Sequence, residues 1–126
     1  MKILVCGGRD FDDYQKARTV LNKVHSDLLA SESYCGVPIL TVIHGGAKGA
    51  DALASRWVKE NEPFVKEWIF PAQWYELGRG AGMIRNGQML HEGKPDLVVA
   101  FKGGRGTAHM VQISKKAGIK VVEVEV

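Results

Sequence analysis

The chain has 126 residues, of which 45% are apolar, and its 17 basic and 14 acidic residues give a formal net charge of +3. This length and composition predict one globular domain, residues 1–126, with an ordinary hydrophobic core. The small net charge is compatible with an anionic ligand, but it is too weak to imply nucleic-acid binding by itself.

The N-terminal sequence and the two cysteines argue against several other classes of protein. The apolar run at the N-terminus ends at Gly7, charged residues follow it, and no run reaches the ~18 residues of a membrane span. We therefore expect a cytoplasmic protein with no signal peptide and no membrane partner. The two cysteines, Cys6 and Cys35, have no spacing typical of a disulfide framework or a zinc site, so no metal is expected.

Strand patterns and helix patterns alternate in the first half of the chain. An apolar strand is predicted at residues 2–6, and a helix from about 13 to 30 follows it, with one apolar stripe at helical spacing. A second strand is predicted at residues 39–43, a second helix from about 49 to 60, and a third strand at residues 64–70.

The second half begins with an irregular segment, residues 72–82. Two aromatic residues of this segment, Trp74 and Tyr75, are expected either to stack on a nucleotide base or to cover the end of the third strand. A short helix is predicted from about 81 to 91, with Arg85 on its outer side. Four residues are predicted to face inward from this helix: Met83, Ile84, Gly87 and Leu90.

The chain ends with a strand at about 96 to 101, a helix that Thr107 caps and that reaches about residue 117, and a strand at residues 119–126. Alternating valines and glutamates are typical of an edge strand. Because strands and helices alternate with short connections, the predicted class is α/β, with a parallel sheet and helices on both faces.

Three of the predicted strands end in a pair of glycines with a cation close behind. These first, second and third glycine turns are Gly7-Gly8-Arg9, His44-Gly45-Gly46-Ala47-Lys48-Gly49 and Gly103-Gly104-Arg105-Gly106-Thr107. In a parallel sheet such turns lie at the carboxyl ends of the strands, where ligands bind. The helices that follow direct free N–H groups and partial positive charge toward the same place. The pattern therefore predicts a phosphate-type anion site that Arg9, Lys48 and Arg105 contact.

The two commonest phosphate-binding motifs do not occur in the sequence. There is no Walker A loop, and His109 replaces the last glycine of a dinucleotide fingerprint. The second and third glycine turns instead resemble the signature loops of the SLOG superfamily, which groups DprA/Smf, the LOG phosphoribohydrolases and YpsA/YspA-like proteins. The resemblance to the small YspA-like branch covers nearly the whole chain in five segments: Gly7-Gly8-Arg9-Asp10-Phe11, the second glycine turn, Pro71-Ala72-Gln73-Trp74, Gly80-Ala81-Gly82-Met83-Ile84-Arg85-Asn86, and residues 96–107.

This resemblance implies a Rossmann-like fold with the strand order 3-2-1-4-5 and a pocket for a nucleotide or a nucleotide-derived ligand. It also places Arg85 and Asn86 in that pocket. Some members of the branch belong to phages and mobile elements. Since relatives often dimerise, the edge strand or the first helix could form a homodimer contact.

Three polar residues of the glycine turns and the helices after them have two possible roles each. Thr107 caps the last helix and can also give its hydroxyl to a phosphate. Asp51 caps its helix or holds a ribose hydroxyl, whereas His44 is either a hydrogen-bonded structural residue or a catalytic one. The candidates for a catalytic role are Asp10, Asp51 and His44.

The relatives that hydrolyse nucleotides carry a Pro-Gly-Gly-x-Gly-Thr-x-x-Glu loop, but Lys102 and Met110 stand here at the proline and glutamate positions. Methionine cannot stabilise an oxocarbenium ion or transfer a proton. We therefore predict a non-catalytic module that senses or sequesters a nucleotide-derived phosphate ligand. One alternative is hydrolysis of the N-glycosidic bond of a nucleoside phosphate, with Asp10, Asp51 or Glu92 as the carboxylate. Another is single-stranded nucleic-acid binding, as in the DNA-processing relatives.

Overall fold

The computed structural model of the protein describes residues 1–30, 39–71 and 80–124. In these ranges five strands and four helices alternate along the chain. The strands are β1 (Lys2–Cys6), β2 (Leu40–His44), β3 (Val65–Ile69), β4 (Leu97–Ala100) and β5 (Lys120–Glu123). The helices are α1 (Tyr14–Leu29), α2 (Ala50–Glu60), α3 (Ala81–Gly93) and α4 (Arg105–Lys116).

All five strands pair in parallel, in the order β3-β2-β1-β4-β5. This confirms the predicted α/β class and the Rossmann-like strand order. The chain leaves β1 toward β2 on one side and later returns to β4 on the other, so the order reverses between β1 and β4. Cys6 at the end of β1 pairs with Ala100 at the end of β4. The first and third glycine turns therefore leave the sheet side by side.

Helices cover both faces of the sheet, as predicted. Successive strand residues point to opposite faces. Ile3 and Val5 of β1 belong to one buried cluster with residues of α1 and α2, whereas Leu4 and Cys6 belong to a second cluster with residues of α3 and α4. Complete burial of such side chains contributes roughly 1.5–3 kcal/mol each.

The starts of α1 and α4 are built differently. Asp13 caps α1, and its carboxylate accepts a hydrogen bond from Lys16 N at 3.0 Å. The prediction that Thr107 caps the last helix is wrong, because the N-cap is Gly104 and Thr107 lies in the first turn. The Thr107 side chain packs against Gly103, so closely that a Cβ there would overlap its hydroxyl.

The buried side of α3 also differs from the prediction. Met83 and Ile84 are 58% and 45% exposed, and Gly87 is half-buried, so among the four residues expected to face inward only Leu90 is buried. The buried residues of α3 are Ala81, Asn86, Met89, Leu90 and Gly93. Their spacing is helical, but it includes a polar residue, Asn86, that an apolar pattern search passes over.

The two edges of the sheet are β3 and β5, so the last strand is an edge strand as predicted. It ends at Glu123, which pairs with the last residue of β4, Ala100. Residues 125–126 of the longer predicted strand lie outside the described ranges, as do Trp74 and Tyr75. No helix in the described part of the chain is long and apolar enough to cross a membrane.

Candidate functional site

The three glycine turns meet at Gly8. Gly8 N donates to Lys102 O at 2.8 Å, and Gly8 O accepts from Ala50 N, the first amide of α2, at 3.2 Å. A side chain at Gly49 would overlap Gly8 O, and a Cβ at Gly103 would lie 2.6 Å from Gly8 N. Only glycine allows these backbones to approach so closely, so the structure brings the three turns together at one place.

The second glycine turn is closed, in the sense that nearby side chains accept hydrogen bonds from its backbone N–H groups. His44 is 2% exposed, and its Nδ1 accepts from Gly46 N at 2.9 Å. Asp51 Oδ2 accepts from Gly45 N and from Ala47 N, both at 3.2 Å. Three consecutive backbone N–H groups of this turn are therefore bonded within the protein and do not point at a ligand.

Asp51 binds the turn that precedes its helix. It is 7% exposed in the first turn of α2, whose N-cap is Gly49. Burial raises the pKa of the Asp51 carboxyl above its ordinary value, while the hydrogen bond from Ala47 and the nearby charge of Arg85 oppose this rise. The carboxylate thus holds the second glycine turn and does not cap α2.

Arg85 and Asn86 connect the second glycine turn to α4. Arg85 Nη1 donates to Gly45 O at 2.9 Å, and Arg85 Nε donates to Asn86 Oδ1 at 3.3 Å. Asn86 is 4% exposed; its Nδ2 donates to Gly106 O at 3.1 Å and lies 3.1 Å from His109 Nδ1. Burial lowers the pKa of Arg85, and the charge of Asp51 opposes this effect.

The third glycine turn is open. Gly104 caps α4 without a side-chain hydrogen bond, and in the described ranges the N–H groups of Arg105, Gly106 and Thr107 have no acceptor on the protein. A side chain at Gly104 or Gly106 would meet nothing within 4 Å, and neither residue has a positive φ. The fold therefore does not require glycine at these two positions.

A cleft of about 420 Å³ lies between the first turn of α4, the first glycine turn and α3. The polar residues that line it include Arg9, Asp51, Arg85, Asn86 and Thr107, with Gly104 and Gly106 in its wall. Two arginines face one carboxylate here, so the charge of the cleft favours an anion. Cys6 also lines it, and burial raises the pKa of its thiol to about 12, so Cys6 is not a thiolate at neutral pH.

Comparison with known proteins gives the same assignment as the fold. A family model described as the YspA, cpYpsA-related SLOG family (YAcAr) matches residues 1–76, more than half of the chain. The chain belongs to this SLOG family. It is also 37% identical over 126 residues to the "Gene 61 protein" of Mycobacterium phage D29, an alignment that covers 96% of this chain and 94% of the phage protein. Membership of the family indicates a nucleotide-related function.

Several residues predicted for the site of this SLOG protein lie outside the cleft. Lys48 and Arg105 are exposed and do not line it, and His44 is buried behind the second glycine turn. Asp10 lines a separate hollow of about 540 Å³ with Phe11, on the other side of Gly8 and Gly104. The cleft instead combines cations of the first glycine turn and of α3.

The hydrolase-type carboxylate has no equivalent at the expected position. Met110, which stands where the hydrolase loop has glutamate, is completely buried in the core under α4. Glu92 is exposed and does not line the cleft. Within residues 1–30, 39–71 and 80–124, no group of three or more His, Cys, Asp or Glu residues could hold a metal ion.

Proposed function

We propose that this SLOG protein binds a nucleotide-derived ligand in the cleft, with the phosphate of the ligand at the first turn of α4, as a sensor or sequestering module. The observation that carries the proposal is the open first turn of α4, whose unbonded N–H groups stand beside Arg85 and Arg9. Helix N-termini of this kind bind phosphate, and arginine strengthens the interaction through charge-assisted hydrogen bonds.

The size of the cleft supports a small ligand rather than a polymer. About 420 Å³ falls in the range of roughly 300–1,000 Å³ that is usual for small-molecule sites. The glycines in its wall support the same conclusion. Gly106 lies in a helix, where glycine costs roughly 0.5–1 kcal/mol relative to alanine, and no neighbour in the described structure excludes a side chain there. Close approach of a ligand to the backbone explains why glycine stands at this position.

A second candidate function is hydrolysis of the N-glycosidic bond of such a ligand. It is favoured by Asp51, a buried carboxyl in the cleft wall whose pKa burial raises, as in general acids of hydrolases. The position of Met110 in the core argues against the mechanism of the hydrolase relatives. We therefore place binding first.

The test replaces Gly106 and a matched glycine with alanine. Gly87 also lies in a helix, and a side chain there also meets nothing within 4 Å, but Gly87 does not line the cleft. We expect Gly106→Ala and Gly87→Ala each to keep or raise the free energy of unfolding, by up to about 1 kcal/mol. Only Gly106→Ala should weaken ligand binding, by about tenfold or more, because its methyl group obstructs the approach to the N–H groups.

The ligand is identified first by native mass spectrometry of the purified protein and by thermal melts with a panel of nucleotides. A ligand at 100 times its Kd raises the free energy of unfolding by about 2.7 kcal/mol. Equal affinities of the two alanine variants would contradict a phosphate site at α4, and the lack of any thermal shift across the panel would contradict nucleotide binding. Accumulation of free base and ribose phosphate would establish the hydrolase instead.

A further inference from the structure

Glu67 lies behind the second glycine turn, on the strand next to His44. Val42 pairs with Glu67 in the ladder of β2 and β3, so His44, two residues beyond Val42, is on the same face as Glu67. Glu67 Oε2 lies 3.4 Å from His44 Nε2. Both atoms are buried, and neither has a hydrogen-bond partner of good geometry among the described residues. Two buried polar atoms that lack a hydrogen bond in the described structure thus lie 3.4 Å from each other.

The hydrogen bond at Nδ1 of His44 shows which of the two ring nitrogens carries the proton. The backbone amide of Gly46 can only donate, so His44 Nδ1, at 2.9 Å from Gly46 N, must be the unprotonated nitrogen. The proton of the neutral ring is then on Nε2, which faces Glu67. The negative charge of a carboxylate beside Nε2–H favours this tautomer over the other.

The effect of this pair reaches the cleft through the backbone of the second glycine turn. His44 Nδ1 holds Gly46 N, and the preceding carbonyl, Gly45 O, accepts from Arg85 Nη1 at 2.9 Å. Arg85 lines the cleft, whereas neither His44 nor Glu67 does. A shift of this turn therefore moves the acceptor that orients the guanidinium of Arg85, although the side chains that cause it do not line the cleft.

We propose that Glu67 is a positioning residue, which fixes the tautomer of His44 and thereby the second glycine turn and Arg85. The part of this inference that concerns ligand affinity rests on the proposed function. The part that concerns His44 and Gly46 does not, because both can be observed in the free protein. Glu67 belongs to none of the sequence motifs of the site, and the structure alone brings it to His44.

The experiment compares Glu67→Ala with the conservative Glu67→Gln and with Lys66→Ala, an exposed neighbour on the opposite face of β3. Nitrogen-15 NMR of the His44 ring reports the tautomer, hydrogen exchange reports the Gly46 amide, and calorimetry with adenosine monophosphate reports affinity. We expect Glu67→Ala to populate both tautomers, to speed exchange of Gly46 N–H, and to weaken binding by about tenfold. Glu67→Gln should restore all three, since its amide oxygen accepts from Nε2–H, and Lys66→Ala should match the wild type.

A double-mutant cycle with His44→Asn tests whether Glu67 acts through His44. The asparagine oxygen takes the place of Nδ1 and accepts from Gly46 N, while no group remains at the place of Nε2. Addition of Glu67→Ala to His44→Asn should then change neither Gly46 exchange nor affinity further. A wild-type ring protonated on Nδ1, unchanged NMR and exchange in Glu67→Ala, or a full additional loss in the double variant would overturn the proposal. If the tautomer and exchange change as expected but the wild type does not bind adenosine monophosphate, the positioning role stands and binding of this nucleotide is ruled out.

Discussion

The second and third glycine turns share one sequence pattern but differ in their hydrogen bonding. Each follows a buried strand, carries a Gly-Gly pair and a cation, and leads into a helix. In the second turn, the N–H groups of Gly45, Gly46 and Ala47 bond to the side chains of Asp51 and His44. In the third, the first N–H groups of α4 have no acceptor on the described part of the protein. The same pattern thus produces one closed turn and one open turn.

The glycines of the two turns serve different purposes as well. Gly46 and Gly49 have φ values of 70° and 76°, a conformation that L side chains rarely adopt, and Gly49 also packs against Gly8 O. Gly104 and Gly106 have neither property. The backbone therefore requires glycine at Gly46 and Gly49 of the closed turn, but not at Gly104 and Gly106 of the open one.

The two turns should differ most in how much a glycine-to-alanine substitution lowers the free energy of unfolding. Gly49→Ala combines a strained φ with an overlap against Gly8 O, so we expect a loss of about 3 kcal/mol or more in the free energy of unfolding. Gly104→Ala should cost about 1 kcal/mol at most, the difference between glycine and alanine as N-caps. Urea denaturation measures both. Similar losses at the two positions would show that the third turn is as tightly built as the second.

The closed turn should also give the protein a pH dependence that the open turn lacks. Because burial raises the pKa of Asp51, the native state binds its proton more tightly than the unfolded state does. The stabilisation by Asp51 is therefore complete below its ordinary value of 3.8, and it is lost as the pH rises through the higher native pKa. We therefore expect the wild type to lose stability relative to Asp51→Asn as the pH rises through this window. The quantity compared is the free energy of unfolding of the wild type minus that of the variant.

Urea denaturation of both proteins across a series of pH values measures this difference. Asparagine keeps an oxygen that can accept from the two amides, so the comparison isolates the charge. Asp27→Asn, an isosteric change at an exposed position of α1, corrects for the change in net charge. A difference that stays constant or increases with pH would contradict a raised pKa for Asp51.

The features that sequence analysis predicted correctly follow from local patterns or from the family resemblance. The alternation of strands and helices predicts the parallel sheet, and the resemblance implies its order. What the pattern could not show is that Arg85 and Asn86 of α3 join the two turns, because that depends on contacts between residues that are distant in the sequence. Asn86 reaches Gly106 across 20 positions, and Arg85 reaches Gly45 across 40.

The same limit explains the error about the buried side of α3 and the placement of the cations. Asn86 is buried because it finds partners on α4, so the buried side of α3 includes a polar residue and leaves Met83 and Ile84 exposed. Lys48 follows a glycine pair in the sequence, but its side chain does not reach the cleft, whereas Arg85, on a helix, does. Distance along the chain from a glycine turn does not indicate distance from the cleft.

The smallest effect is expected for Lys48→Ala, and it tests the comparison directly. Lys48 is exposed and outside the cleft, so it acts on a bound phosphate only through a screened interaction. Its removal should change the affinity for the identified nucleotide by about twofold or less at physiological salt. Arg85→Lys, which keeps the charge but loses the fixed contacts to Gly45 and Asn86, should cost about tenfold in the same calorimetric titration. Equal losses would mean that the second turn also faces the ligand and that both turns share one anion.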